Sequence, residues 1–353
     1  MSLVLAIVDT WRPLSSRLRE VTDFGTNPGA LRMLTYAPDS RPARPALVVA
    51  LHGSTQSAAQ YDFGAGWSTL ADQHGFVLLM PEQNRQNNPN RSFNWFLRGD
   101  IRRGEGEAGS IAQMVERAEL DFDIDRQRIF IAGLSAGGAM TLVMLATYPD
   151  LFAAGAVIAG LPYGGASNVQ EALRGMFQES DRSPRELGDL VRQAAPETTR
   201  WPRLSVWHGS ADRTVKPSNA GEIVKQWLDL HGLSPAPMSE QMIDGHPRQV
   251  WWNADGKTVI ESYTITDMAH GTPLSRAAGG VAGPYMIETG ISSSDHIVNF
   301  FGLADTPLPT PARTTMQPAR LFSALKKTTR PRRIRAVRAW RTASAKFARM
   351  LSL

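Results

Sequence analysis

The chain has 353 residues, 42% of them hydrophobic and 20% charged, a balance that belongs to an ordinary globular protein with a full core and excludes a disordered or fibrous one. It contains no cysteine, so disulfides, thiolate metal sites and a cysteine nucleophile are excluded, and any chemistry rests on oxygen or nitrogen groups. The formal charge of +5 hides an asymmetry: twelve of the 38 Lys and Arg residues lie between Arg313 and Arg349, a stretch with no Asp or Glu, which leaves 26 basic against 33 acidic residues elsewhere.

The apolar run from Met1 to Val8 has no basic leader and soon meets Asp9 and Arg12, so no signal peptide is expected and a cytoplasmic location is favoured. No window reaches the ~18 apolar residues of a membrane span. Buried strands are expected at Ala46 to Leu51, Phe76 to Met80, Arg128 to Ala132, Gly155 to Ala159 and Leu204 to Trp207, each short and apolar and most of them rich in β-branched residues. Helices are expected between and after them, at Trp67 to His74, Gly109 to Leu120, Ala139 to Tyr148 and Gly221 to Leu230. This alternation predicts an α/β fold, a mostly parallel central sheet with helices on both faces. The polar stretch 161–201 is expected to form a small cap-like insertion. Gln249 to Asn253 and Thr258 to Thr264 flank Asp255-Gly256, which suits a two-residue hairpin turn. The Pro-rich segment from Thr306 reads as a linker, so the division expected is a catalytic domain over 1–305 and a linker with a basic extension over 306–353.

Strand Arg128 to Ala132 runs through Gly133-Leu134-Ser135-Ala136-Gly137 into a helix. A strand, a G-x-S-x-G turn and a helix in that order form a nucleophile elbow, which holds a serine Oγ above the sheet of an α/β-hydrolase fold. A serine needs a base to take its proton and a carboxylate to orient that base, and in this architecture the order is Ser, acid, His. Asp212 follows the strand Leu204 to Trp207, and His270 follows the strand Thr258 to Thr264, so Ser135, Asp212 and His270 are the expected triad. His74, His231, His246 and His296 are rival bases, and Asp244 and Asp267 rival acids, all less well placed. Backbone N–H groups of Ala136, after the serine, and of Ser54, in the loop His52-Gly53-Ser54 after an early strand, are the expected oxyanion donors. His52 is expected to brace that loop.

Several segments in order, LHGSTQSAAQYD from Leu51, PEQ from Pro81, NWF from Asn94, GEAGSI from Gly106, GLSAGGAM from Gly133, YPDLFAAGAVIAGLPYG from Tyr148 and WHGSADRTV from Trp207, resemble the polyhydroxybutyrate depolymerase family of esterases, which is related to feruloyl and acetylxylan esterases. The resemblance spans roughly Ala46 to Leu303. It implies a serine carboxylic-ester hydrolase with the triad and oxyanion donors named above, acting on hydroxyalkanoate, feruloyl or short-chain acyl esters without a cofactor. Members often carry Cys at the position of Ser54 and again near Phe93, and many are extracellular; this chain has neither Cys. Trp95, Phe96 and Tyr163 lie in matching segments near strand ends and are candidates for lining an acyl pocket.

Asp121, Asp123 and Asp125 imitate the start of a calcium loop, but Arg126 replaces its glycine and Ala132 its final glutamate, and no metal-ligand spacing occurs elsewhere, so no metal is expected. In the extension, Ile334, Val337, Trp340, Phe347 and Leu351 recur at helical spacing among basic residues. That pattern suits an anionic membrane or a polymer-granule surface rather than nucleic acid as partner. Two other readings compete with the hydrolase: a surface-binding protein with a vestigial hydrolase body, and an acyltransferase using the same triad. Oligomeric state is not legible.

Overall fold

The computed structural model describes residues 16–304 apart from residue 179, and the readings of the N-terminal run and of the 306–353 extension lie outside them. Six parallel strands form the centre of a ten-stranded sheet: β3 (Leu47–Leu51), β4 (Val77–Glu82), β5 (Ile129–Leu134), β6 (Ala154–Ile158), β7 (Arg203–Gly209) and β10 (Thr258–Ile265). Every residue of β3, β4, β5 and β6 is buried, which is why these strands read as unbroken apolar runs rather than alternating ones. β1 (Arg19–Val21) and β2 (Arg32–Tyr36) extend the sheet antiparallel beyond β4, and β9 (His246–Trp252) and β8 (Ser239–Ile243) do so beyond β10.

Helices cover both faces, as the α/β pattern requires. On one face Leu47, Val49 and Leu51 of β3 pack with α3 (Gly106–Phe122), α4 (Ala136–Thr147), α6 (Pro184–Ala194) and α7 (Ser218–His231). On the other, Val48 and Ala50 pack with α1 (Ala58–Ala65), α2 (Trp67–His74) and α8 (Ser293–Phe301). The alternation of adjacent residues between two cores is the period-2 geometry of a strand buried on both sides.

One local expectation differs from what forms. The β9–β10 connection is not a two-residue turn: Asn253 N–H donates to the Lys257 carbonyl at 3.0 Å, and the Asn253 side chain accepts from the Asp255 and Lys257 amides. Asn253 thereby closes a wider loop, with Gly256 in the left-handed region at φ 74°. The segment 161–201 holds two helices, α5 (Val169–Phe177) and α6, and α6 buries Leu187 and Val191 beside α7. A short pair, β11 (Thr272–Leu274) and β12 (Met286–Glu288), forms a second sheet.

The chain order places a switch point in the main sheet. From β3 it steps outward to β4, then crosses back to β5 on the other side of β3. The carboxyl ends of β3 and β5 at such a point are the usual ligand position in an open α/β sheet.

Candidate active site

Ser135 stands at this switch point. It links β5 to α4 with φ 56° and ψ −116°, a conformation that costs a non-glycine residue energy and is held in place by its surroundings. One restraint is the Ser135 N–H, which donates to the Ile158 carbonyl at the end of β6 at 2.8 Å. The flanking glycines are needed for space. A Cβ at Gly133 would lie 2.3 Å from the Gly137 carbonyl oxygen, and one at Gly137 would lie 2.4 Å from that of Leu51. The first contact lets the helix fold back on the strand, and the second lets its N-terminus press against the end of β3.

Asp212 follows β7 and His270 follows β10, its parallel neighbour, so the sheet delivers both to the same end as Ser135. His270 Nε2 is 2.9 Å from Ser135 Oγ, and His270 Nδ1 is 2.7 Å from Asp212 Oδ2. The other carboxylate oxygen, Oδ1, accepts the backbone N–H groups of Thr214 at 2.8 Å and Val215 at 3.0 Å. Burial alone would raise the Asp212 carboxyl; hydrogen bonds from His208 and His270 and from the Val215 amide outweigh it and hold the group well below the usual carboxylate range. A carboxylate so held stays ionised and fixes His270 with Nδ1 protonated, leaving Nε2 free to accept a proton.

Three of the rival histidines are engaged elsewhere. His246 lies between the Thr289 carbonyl and the Thr266 amide, His296 bonds Asp244, and His231 bonds the Pro202 carbonyl. Asp267 sits at φ 57° with its amide on Ser210 Oγ.

The loop after β3 lies against the elbow. His52 is fully buried: Nδ1–H donates to the Gly53 carbonyl at 2.8 Å, and Nε2 accepts the Gln83 amide at 3.1 Å, so both ring nitrogens are used in bracing. Burial pushes its pKa down, which keeps the ring neutral as this pairing requires. The Gln56 side chain accepts the Gly53 N–H at 2.9 Å. The amides of Ser54 and Ala136 have no hydrogen-bond partner among the described residues. Ser54 Oγ meets Ser92 Oγ at 3.0 Å, so a hydroxyl pair joins the loop to the segment beside Phe93.

Trp95 lines a cavity of about 390 Å³ together with Leu161, Pro162 and Asn219. In sequence, its lining residue Leu161 follows Ile158, the partner of the Ser135 amide, by three residues. Phe96 and Tyr163 pack against the core to which Trp95 also belongs, and the Tyr163 backbone is clamped on both sides by the Gln226 side chain.

Two contributors escaped the sequence reading. His208, buried in β7, donates through Nε2 to the Val215 carbonyl at 2.9 Å and lies 3.3 Å from Asp212 Oδ2. It stands four residues before Asp212, a spacing that could have drawn notice. Glu107, fully buried in α3, accepts from the Gln83 and Asn87 side chains and the Asn94 amide, joining the end of β4 to the segment that carries Trp95. Nothing local in the sequence reveals that link.

The doubly covered, mostly parallel sheet is an α/β-hydrolase fold, and likeness to known proteins makes the chain a carboxylic ester hydrolase. A family model described as Esterase PHB depolymerase matches residues 32–244, and the chain belongs to that family. It is 45% identical over 291 residues to poly(3-hydroxyalkanoate) depolymerase C of Paucimonas lemoignei, an overlap covering 81% of this chain and 70% of the relative. It is 36% identical to an acetylxylan esterase of Coprinopsis cinerea, over 74% of this chain and 71% of that one. Among solved structures, the acetyl xylan esterase from Aspergillus awamori superposes with a TM-score of 0.69 at 26% identity, covering 81% of this chain and 99% of that one.

Proposed function

We propose that the protein hydrolyses carboxylic esters through an acyl-enzyme on Ser135. His270 takes the Ser135 hydroxyl proton as the oxygen attacks the ester carbonyl, then delivers it to the leaving alcohol. In the second half it takes a proton from water as the water oxygen attacks the acyl carbon, then returns that proton to the Ser135 oxygen as the acyl bond breaks, which frees the acid and restores the serine hydroxyl. Asp212 orients the imidazole and stabilises its cation. The Ser54 and Ala136 amides donate to the oxyanion, and the N-terminus of α4 adds its partial positive charge. The observation that carries this reading is the unbroken line Ser135 Oγ, His270, Asp212 with contacts of 2.9 and 2.7 Å.

The substrates proposed are hydroxyalkanoate esters or their oligomers, feruloyl esters, or short acyl esters, in keeping with the relatives' names. The cavity beside Trp95 is proposed to receive part of the substrate. Labelling with a serine-directed fluorophosphonate tests the mechanism. Wild-type protein is expected to be modified at Ser135, and both Ser135→Ala and His270→Ala to lose the label. Labelling that persists in Ser135→Ala would place the nucleophile elsewhere.

A further inference from the structure

At the amino ends of the central strands, the opposite edge of the sheet from Ser135, lies a second cleft of about 730 Å³. Arg203 opens β7, Lys257 immediately precedes β10, and Arg200 lies in the segment leading into β7; all three line the cleft, with Arg128 beside β5. Phe130, Phe152 and Phe301 also line it.

Three of the cations in this cleft have no close ion-pair partner among the described residues. Arg200, Arg203 and Lys257 have no carboxylate within 4.0 Å among the described residues. The acidic groups nearby are already used: Asp150 is held by both terminal nitrogens of Arg103 at 2.6 and 2.8 Å, and Glu261 by Arg248 at 2.7 and 2.9 Å and by Ser205. Glu197 alone lines the cleft as a carboxylate without an ion pair. Instead of a carboxylate, Arg203 has the ring of Phe300, whose centroid lies 4.5 Å from its guanidinium carbon. The cations repel one another: Arg203, then burial, then Arg200 push the Lys257 ammonium below its usual value, and burial lowers Arg203, with the Glu261 carboxylate opposing the fall and Arg200 adding to it.

Cations gathered around a concavity without close ion-pair partners form a site for an anion that supplies them. We propose that this cleft binds a small, multiply charged oxyanion of the phosphate class, with Arg200, Arg203 and Lys257 as its ligands. Guanidinium groups suit such an anion because their planar forks bond two of its oxygens at once. The hydroxyls of Thr198 and Thr199, which also line the cleft, can add neutral hydrogen bonds. The volume falls in the range of small-molecule sites, roughly 300 to 1,000 Å³. An extended polyanion such as nucleic acid is disfavoured, since outside the 313–349 stretch the chain carries 26 basic against 33 acidic residues.

The test is a calorimetric titration of the full chain with pyrophosphate at fixed ionic strength, comparing wild type with Arg200→Gln/Lys257→Gln. Both positions are exposed, so the double variant is expected to fold; it also keeps the basic residues of 313–349, so any difference belongs to the cleft. Saturable binding that weakens about tenfold or more in the variant, while turnover of a soluble ester stays unchanged, is the expected result. Phosphatidate vesicles form a second arm. Binding there but not to free pyrophosphate, lost in the same variant, would assign the phosphate to a lipid headgroup and still uphold the site. Equal affinity of the two proteins for both probes, or no saturable binding by wild type, overturns the proposal.

Discussion

At Asp212 two histidines meet one carboxylate oxygen. His270 is the closer, and His208 shares its Nε2 proton between the same oxygen and the Val215 carbonyl. His208 is therefore placed to keep the carboxylate ionised and in position without touching substrate. Losing a hydrogen bond to a charged group costs about 1.5 to 3 kcal/mol, so His208→Phe should lower kcat by about ten- to a hundredfold with little change in KM. His208→Gln, whose amide can still donate, should recover part of that loss. A kcat equal to wild type in the Phe variant would leave His208 with a packing role only. Residues of this kind mark the limit of sequence reading. Ser135 is legible because a strand, two glycines and a helix surround it, and Asp212 and His270 because each follows a strand. His208 becomes part of the arrangement only when the loop 209–215 folds back over it.

Among the elements, what matters most is how closely α4 meets the end of β3. The space that a Gly137 side chain would need is filled by backbone, the Leu51 and His52 carbonyl oxygens, which cannot swing aside as a side chain tip can. Gly137→Ala is expected to destabilise by on the order of 3 kcal/mol in urea unfolding and to lower turnover, because it pries the elbow away from the Ser54 loop. Gly221→Ala provides the contrast. It sits in the exposed part of α7 with open space around it, and should stabilise by about 0.5 to 1 kcal/mol. Equal effects at the two glycines would contradict this reading of the elbow.

The elements themselves differ in how plainly the sequence states them. The buried parallel strands stand out because both faces are apolar. β1, β2 and β8 do not, since they lie toward the sheet edges, and β8 exposes Glu240, Gln241 and Met242. α1 carries a readable signal: Ser57 and Gln60 form a capping box, the S-x-x-Q spacing of a helix start. The wider β9–β10 loop depends on the Asn253 side chain bonding its own backbone, which the Asp255-Gly256 pair does not disclose.

Across the whole molecule, the buried Glu107 links folding to pH. Burial raises its carboxyl to about 8, against hydrogen bonds from Asn94, Gln83 and Asn87 that favour the ionised form; the nearby Asp100 charge adds to the rise. The unfolded chain would release this proton at the ordinary glutamate value of about 4.3. Because the folded value is the higher one, the contribution to stability is full below about pH 4.3 and is lost as pH rises through about 8. Glu107→Gln cannot titrate, so the Tm of wild type relative to that variant should decline steadily between about pH 5 and about pH 9. A difference that grows with pH would show the carboxylate to be the stabilised form. Since Gln83 joins Glu107 to His52, this proton also sits behind the loop that presents the Ser54 amide.

The central claim is that Ser135 carries the acyl group, and it is tested most directly by hydrolysis of p-nitrophenyl butyrate with wild type and Ser135→Ala side by side. The account predicts a fall in kcat on the order of 10⁴ to 10⁶ in the variant, with its fold and Tm retained. Equal rates from the two proteins would contradict it.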